Sequence, residues 1–506
     1  MCVEVSHRNF QIIATSIIST LIIAIIILCS VKKPYQSTNE MKNLFSISSY
    51  LMSIDGLVNY LRKNDFSNLN HKIKLNCATH NFITDSQIMK YRMYLNQHIL
   101  GNINSNSFYM DSIRENIEFI RSQIYTLFST NSQEYSIIFS ESLNEITLLF
   151  LHSFPWTSKS TYYVHEKCDN WFFAFREYLS NYDSYYLPIN QTHLNEIPII
   201  NENTVLNTNI EETPTNLFVF NMEDSFTGDR TNHSIIKGML SKSNNSLFVE
   251  DEITLIYADA KSYASNTKLN LTEFPFHAIG TDFEKMFGLP KISCLLVKNS
   301  VLPYLKIKYS SNRNVLFPKI TTQEEIMVKG SNVLSLLPEP IESLISLNAG
   351  FKLLRQIPIE NIESRVRNLS TILRNKLAHL KYHNGQKMIS FYHNEIEKNK
   401  AIVKGPIISM NINNDDGSLI PYSSVILKAK QNNIVLEGGC FHALHSCFHA
   451  FDVPEPMAFQ IISESCNQIP KIHGDEIGSI RISLGWASTE NDIENLVKWI
   501  RRTYLT

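Results

Sequence analysis

The chain has 506 residues, of which 43% are hydrophobic and 19% are charged. This length and apolar content suffice for the core of one large two-part unit or of two to three ordinary domains, which excludes a disordered protein. The 46 Lys and Arg residues nearly balance the 48 Asp and Glu residues. No overall basic field attracts nucleic acid, so small molecules or proteins are the expected partners.

An uncharged segment dominated by Ile and Leu runs from Phe10 to Val31. As a helix it is long enough to cross a hydrocarbon core of about 30 Å, so we predict a transmembrane helix over residues 10–31. A cleaved signal peptide is the main alternative, but the segment exceeds the roughly 7–15 apolar residues of such signals. The flanking charges are one arginine before the segment and three lysines after it: Arg8, Lys32, Lys33 and Lys42. By the positive-inside rule, we predict a single-pass membrane protein whose C-terminal bulk is cytosolic.

A helical apolar rhythm follows between residues 41 and 63. We therefore predict an N-terminal helical segment over residues 41–85. From about Gln87 onward, strand-like apolar runs alternate with helix-like ones, beginning with Tyr135 to Phe139 and then Leu143 to Phe154. This alternation predicts an α/β fold with a large, mainly parallel sheet, which we assign to residues 86–305.

The rest of the chain is less regular. A long amphipathic stretch from Asn361 to Leu380 indicates a helix, and short strand candidates follow it, including Ile407 to Met410 and Ser479 to Leu484. A closing helix is predicted from Glu490 to Tyr504. Together these elements predict a smaller α+β subdomain over residues 306–506.

Two residues stand out as a pair of chemical groups. Asp259 directly follows the strand candidate Ile253 to Ala258, and Lys285 comes 26 residues after Asp259 (259 to 285), just before a Phe-Gly turn. This arrangement resembles the cofactor site of the class V, pyridoxal-phosphate-dependent enzymes. Taken singly, the acid could cap a turn and the lysine could lie in solvent, as most such residues do.

Matches in the same order along residues 90 to 500 favour the functional interpretation. The matching segments are Tyr94–Gln97, Phe139–Asn144, Phe154–Trp156, Phe220–Gly228, Gly439–Cys447 and Gly478–Asp492. They resemble the desulfurase domain of the molybdenum cofactor sulfurase family. The resemblance implies the class V fold, with a large domain and a small C-terminal subdomain, and a homodimer.

The resemblance also implies a chemistry and its residues. The activity would be sulfur transfer from L-cysteine, of the cysteine desulfurase type, with pyridoxal phosphate as cofactor. Lys285 would bind the cofactor aldehyde and Asp259 would pair with its ring nitrogen. Ser142 and Asn144 would help to bind the phosphate, and Cys440 is the remaining candidate for the sulfur acceptor.

Several positions depart from the family pattern. Asp282 and Glu284 flank the lysine, where they are expected to oppose a phosphate dianion and to hold the Lys285 ammonium in an ion pair that raises its pKa. The ring-stacking histidine of the family is replaced by Asp169 or its neighbours. Trp171 either stacks on the ring instead or is a core aromatic of the next helix.

The cysteine-rich loop is altered as well. His442 stands where the family has the cysteine that carries sulfur, and Glu437 stands near the expected position of an arginine for the substrate carboxylate. These changes favour an alternative function, a catalytically degenerate class V fold that acts as a binding or scaffold module. Whether the chain is an enzyme therefore stays open at this point.

The same loop carries residues of the types that bind zinc: Cys440, His442, His445, Cys447 and His449. Their spacing matches no standard zinc motif, and the family loop already explains the cysteines. We therefore predict no metal site.

The eight cysteines of the chain are scattered without the dense pattern of a small secreted scaffold, which favours a reducing compartment.

Overall fold

The structure is a computed structural model that describes residues 53–69, 71–97, 101, 108–189, 215–233, 236–237, 253–306, 315–318, 321, 325–327, 339–392, 404–465 and 468–505. The chain divides into two compact units, Met1–Leu57 and Val58–Thr506. The sheets and the candidate site all lie in the second unit.

The helices, in chain order, are α1 Ile54–Asn64, α2 Asp85–Gln97, α3 Phe108–Leu127, α4 Leu143–Ser153, α5 Asn170–Ala174, α6 Arg176–Leu179, α7 Phe283–Phe287, α8 Ile341–Gln356, α9 Ile359–Ala378, α10 Tyr422–Gln431, α11 Leu444–Ala450, α12 Glu455–Ser465 and α13 Glu490–Tyr504.

The strands are β1 Ile73–Lys74, β2 Tyr135–Ser140, β3 Thr161–His165, β4 Tyr185–Ile189, β5 Thr215–Asn221, β6 Ile253–Asp259, β7 Ala278–Asp282, β8 Ser293–Lys298, β9 Val315–Pro318, β10 Glu325–Met327, β11 Ile389–Phe391, β12 Ile407–Ile412, β13 Ile434–Val435, β14 Glu437–Gly439, β15 Lys471–Ile472, β16 Asp475–Glu476 and β17 Ser479–Ser483.

A seven-stranded sheet in the order β2-β8-β7-β6-β5-β3-β4 forms the centre of the larger part. Strands β3 to β7 pair in parallel, and β8 runs antiparallel to both of its neighbours, β2 and β7. The predicted α/β fold with a mainly parallel sheet is therefore confirmed. Parallel strands covered on both faces are apolar along their whole length, which is why β5 and β6 appear in the sequence as continuous apolar runs.

Two apolar clusters cover the two faces of this sheet. One contains buried residues of α3, α7 and α8 together with one side of the strands, and the other contains residues of α4, α5 and the opposite side. The register places Asn221 and Asp259, the last residues of β5 and β6, next to each other, with Gly280 of β7 on the other side of Asp259. Side chains at this edge of an open α/β sheet are placed to line a ligand site.

A second, four-stranded sheet in the order β11-β12-β17-β14 lies in the C-terminal part, and all of its pairings are antiparallel. Helices α9 and α13 contribute buried apolar faces to this region. A mixed α+β arrangement follows the large sheet, as the strand and helix patterns indicate. The exact domain boundaries at residues 85/86 and 305/306 stay predictions, and residues 41–52 of the predicted helical segment lie outside the described residues.

Within the described ranges, no helix is long and apolar enough to cross a membrane. The longest of these helices, α3 and α9, have 20 residues each, but both carry charged side chains between their apolar positions. Such amphipathic helices cover a protein core with one face and meet water with the other. The prediction of a single-pass membrane protein with a cytosolic bulk is corrected accordingly and is withdrawn. The predicted transmembrane segment, residues 10–31, lies outside the described residues.

Candidate active site

A cavity of about 710 Å³ opens at the carboxyl edge of the large sheet. Its walls come from the start of α4, the loop before α5, the turn after β6, helix α7 and strands β14 and β17. The cavity therefore combines groups from both sheets. Three of the residues predicted from the sequence line it: Ser142, Asn144 and Lys285.

The other two predicted residues lie just outside the cavity wall. Asp259 is 3% exposed at the end of β6 and reaches the cavity only through its contact with Lys261, which lines it. Cys440 forms a disulfide with Cys447 and does not line the cavity, although its neighbour His442 does. The structure thus brings four of the five predicted residues to one place and leaves Cys440 bonded beside it.

Lys261 is the central charged group of the site, and the sequence reasoning missed it. Its ammonium Nζ lies 2.7 Å from Oδ2 of Asp259 and also donates to Oδ2 of Asp169. Oδ1 of Asp169 accepts further hydrogen bonds from Asn221 and Ser225, each at 3.1 Å. The three side chains of this charged triad are only 2–12% exposed.

The triad stabilises the charged forms of its members. Burial alone would lower the pKa of Lys261, but Asp169 and Asp259 outweigh it and hold that pKa well above its usual value. Burial likewise opposes the charge on Asp169, yet the Lys261 ammonium keeps the pKa of Asp169 below its usual value. Lys261 follows Asp259 by only two residues at a strand end. This spacing allows a local ion pair, and it is the one signal in the sequence that could have predicted the role of Lys261.

Lys285 has a different environment on α7. Among the residues that the structure describes, its ammonium group makes no hydrogen bond or ion pair. Burial lowers the pKa of Lys285, the nearby Lys261 cation adds to this effect, and Asp282 only partly opposes it. The ammonium form of Lys285 is therefore less favoured in the folded chain than that of an ordinary exposed lysine.

The predicted ion pair of Lys285 with the two flanking carboxylates is wrong. The Asp282 side chain caps α7 by accepting a hydrogen bond from the Glu284 backbone N–H at 2.8 Å. The Glu284 carboxylate lies 3.0 Å from Nδ1 of His80. Both acids still line the cavity, so their charges remain close to any bound anion.

Arg481 also lines the cavity and forms an ion pair with Glu437. The two residues are directly opposite each other on β17 and β14, so this is a cross-strand pair. The Arg481 guanidinium also donates to the Ser225 carbonyl at 3.0 Å and to Thr79 Oγ1 at 2.9 Å. It lies 4.0 Å from the centroid of the Phe441 ring. Glu437 thus neutralises an arginine that the sequence reasoning did not assign to the site.

The Trp171 segment of the wall is linked to the loop that follows β14. Trp171 lines the cavity and at the same time stacks on Phe172, with 3.8 Å between ring centroids, so both predicted roles are compatible with its place. The Asn170 N–H donates to the His442 carbonyl at 2.9 Å.

In the described part of the chain, no group of three or more His, Cys, Asp or Glu side chains is arranged to hold a metal ion.

Comparison with family models gave no match. Curated proteins named molybdenum cofactor sulfurase are similar to this chain. The one from Oryza sativa subsp. japonica is 24% identical over 483 residues and the one from Homo sapiens 25% over 482 residues, each alignment covering 89% of this chain. They cover 58% and 52% of those proteins, so the chain spans little more than half the length of the relatives it matches.

Solved structures show the same fold. The apo structure of a cysteine desulfurase from Thermococcus onnurineus NA1 has a TM-score of 0.67 at 11% identity, covering 88% of this chain and 98% of its own. A mutant of C-DES with glycine covalently linked to its PLP cofactor has a TM-score of 0.60 at 13% identity, with 87% and 98% coverage. The resemblance found in the sequence is confirmed: the chain is similar to the molybdenum cofactor sulfurases along most of its length, and its fold is that of the cysteine desulfurases.

Proposed function

We propose that this chain keeps the fold of the sulfur-transfer enzymes as a binding module and does not itself run their cofactor-dependent reaction. One observation carries the proposal: three of the reactive or charged groups in and beside the cavity are already bound to other residues of the chain. Asp259 is held by Lys261, Arg481 by Glu437, and Cys440 by Cys447. Each of these groups would have to leave an internal partner before it could act.

The relatives support a function connected with sulfur transfer, since they are named as molybdenum cofactor sulfurases and cysteine desulfurases. Pyridoxal phosphate is likewise supported as the cofactor of this group by the C-DES structure that carries it. The curated relatives are longer than this chain, so their complete activity is no more than a proposal for it. What this chain can do depends on its own site.

The side chains of the site do not fit pyridoxal phosphate as they stand. The cavity is large enough, and Lys285 presents an amine of lowered pKa. However, the carboxylate that should meet the ring nitrogen is already paired with Lys261. At the phosphate end, Ser142 at the start of α4 shares the cavity with Asp282 and Glu284, whose charges oppose a dianion. No reaction step is therefore assigned to the cofactor.

The cavity wall instead suits a small ligand that carries both charges. The cationic residues in it are Lys261, Lys285, Lys291 and Arg481, and the acidic residues are Glu141, Asp169, Asp282, Glu284 and Glu437. A zwitterion of the amino-acid class can place a carboxylate near Lys285 and an ammonium group near the acids. L-cysteine belongs to this class. The homodimer implied by the resemblance remains part of the proposal.

A second candidate function is sulfur transfer from L-cysteine with pyridoxal phosphate bound at Lys285. The specific observation in its favour is that Lys285 has no ion-pair partner among the described residues and lines the cavity together with Lys261, the partner of Asp259. In this function Cys440, once reduced, would be the sulfur acceptor. The two functions differ in cofactor affinity and turnover, which are both measurable.

The deciding experiment titrates the full chain with pyridoxal phosphate and then measures sulfide release from L-cysteine in the presence of a reductant. We expect no stoichiometric visible band of lysine-bound cofactor and no turnover near about 1 per second, a rate typical of ordinary enzymes. Calorimetry without cofactor should detect L-cysteine binding that weakens in Lys285→Met. A stoichiometric band lost in Lys285→Ala, with turnover lost in Cys440→Ser, would establish the second candidate instead.

A further inference from the structure

We infer that Lys261 is a built-in substitute for the cationic ring nitrogen of pyridoxal phosphate, and that this one side chain excludes the cofactor from Asp259. The inference rests on the proposed function and deepens it, because it assigns the loss of cofactor binding to a single residue. It also predicts that the loss can be reversed.

The geometry leaves no oxygen of Asp259 without a partner. Oδ2 accepts from the Lys261 ammonium at 2.7 Å, and Oδ1 accepts from the Lys261 backbone N–H at 3.1 Å. One residue therefore supplies a donor to each oxygen of the carboxylate from within the turn that follows β6. A ring nitrogen approaching Asp259 would need the position that Nζ occupies.

Asp169 makes this arrangement difficult to displace. It holds the same ammonium group from the other side and is itself fixed by Asn221 and Ser225. If Lys261 moved aside, Asp169 would lose its counter-ion in a position that is only 7% exposed. Separating a buried ion pair in this way is strongly unfavourable, and a bound cofactor would have to offset that cost.

Charge leads to the same conclusion. A protonated ring nitrogen beside Lys261 would place a second cation next to the ammonium, with Lys285 as a third positive group close by. Like charges in a partly buried site repel strongly. The triad and the cofactor are therefore alternatives for the same carboxylate.

The test compares cofactor binding by the wild-type chain, Lys261→Ala and the charge-balanced double variant Lys261→Ala/Asp169→Asn. Binding is measured by equilibrium dialysis with pyridoxal phosphate, and the linkage site by borohydride reduction and peptide mass spectrometry. We expect at least about a tenfold gain in affinity in the double variant, with the mass added to Lys285. The double variant removes one charge of each sign, so it decides the matter if the single variant fails to fold.

Lys291→Ala is the matched control, because Lys291 is an exposed lysine of the same cavity that does not contact Asp259. It should show no gain. A folded double variant that binds no more tightly than the wild-type chain would overturn the inference and leave the proposed function standing. An equal gain in Lys291→Ala would also overturn it, since loss of a lysine that does not contact Asp259 would then be enough to improve binding. Stoichiometric binding by the wild-type chain would contradict both proposals.

Discussion

At the scale of single residues, the two lysines of the cavity show how far the sequence can be interpreted. The position of Lys285 could be predicted from its spacing to Asp259 and from the Phe-Gly turn that follows. The role of Lys261 could not, because a lysine two residues beyond a strand is usually solvated. Only the folded chain brings Asp169 from the loop before α5 against Asp259 and buries Lys261 between them.

These two environments predict opposite effects of the same substitution on stability. The lowered pKa of Lys285 means that its charged form is disfavoured in the folded state at neutral pH, so Lys285→Met should leave stability unchanged or raise it by up to about 1 kcal/mol. The raised pKa of Lys261 means the reverse, and Lys261→Met should lower stability by about 3–5 kcal/mol. Urea unfolding at pH 7 measures both values.

Each variant serves as the control for the other, since both remove one ammonium group from the same cavity. A large loss of stability in Lys285→Met would show that its ammonium has a stabilising partner. If Lys261→Met left the stability unchanged, the triad would contribute nothing to the stability of the fold. Either result would contradict the assignment of charges made for the site.

At the scale of elements, the buried strands were the easiest part to predict. The predicted run Tyr135 to Phe139 falls within β2, because strands covered on both faces are apolar throughout. The loop after β14 was harder. Its two cysteines were interpreted through a family pattern, and their pairing with each other depends on a turn and a helix that only the structure shows.

The helix that carries Lys285 depends on a close contact that is also testable. A Cβ added to Gly350 on α8 would overlap the ring of Phe287 on α7, and Phe287 is fully buried. Gly350→Ala should therefore shift α7 and destabilise the protein by about 1–3 kcal/mol. Because Lys285 is two residues from Phe287, the same variant should weaken L-cysteine binding.

Lys352→Ala is the control for this prediction, because it changes an exposed position on the same helix. It should change stability by no more than about 0.5 kcal/mol. Thermal unfolding and calorimetry on the three proteins supply the comparison. If Gly350→Ala were as stable as the wild-type chain, α8 would have room to move and would not fix the position of α7.

At the scale of the whole molecule, the architecture followed from the sequence better than the chemistry did. Alternating apolar runs are imposed by layers of helices on a parallel sheet, and they remain visible in a chain only about a quarter identical to its relatives. Charges in the site are not patterned in this way. Their effect depends on which side chains of distant segments meet, as Arg481 and Glu437 do between β17 and β14.

The pH dependence of folding tests whether the buried interior is closed to water, and the side chain that reports this is His165. It ends β3, is 2% exposed, and in the described part of the chain its Nε2 has no hydrogen-bond partner. Burial, assisted by Lys167 and His445, lowers the pKa of His165 to about 3. In the unfolded chain this side chain has an ordinary pKa of about 6.5. As the pH falls, the unfolded chain therefore takes up the proton before the folded chain does, and the free energy of unfolding decreases.

The contribution of His165 to stability should therefore be complete above about pH 6.5 and decline by up to about 1.4 kcal/mol per pH unit towards pH 3. Between pH 7 and pH 5, the wild-type chain should lose about 2 kcal/mol more than His165→Gln, which cannot take up the proton. Urea titrations at the two pH values measure the difference. His383→Gln, at an exposed position, should keep the wild-type slope. If His165→Gln kept it too, the buried imidazole would already accept a proton in the folded state, and the end of β3 would have to be open to water.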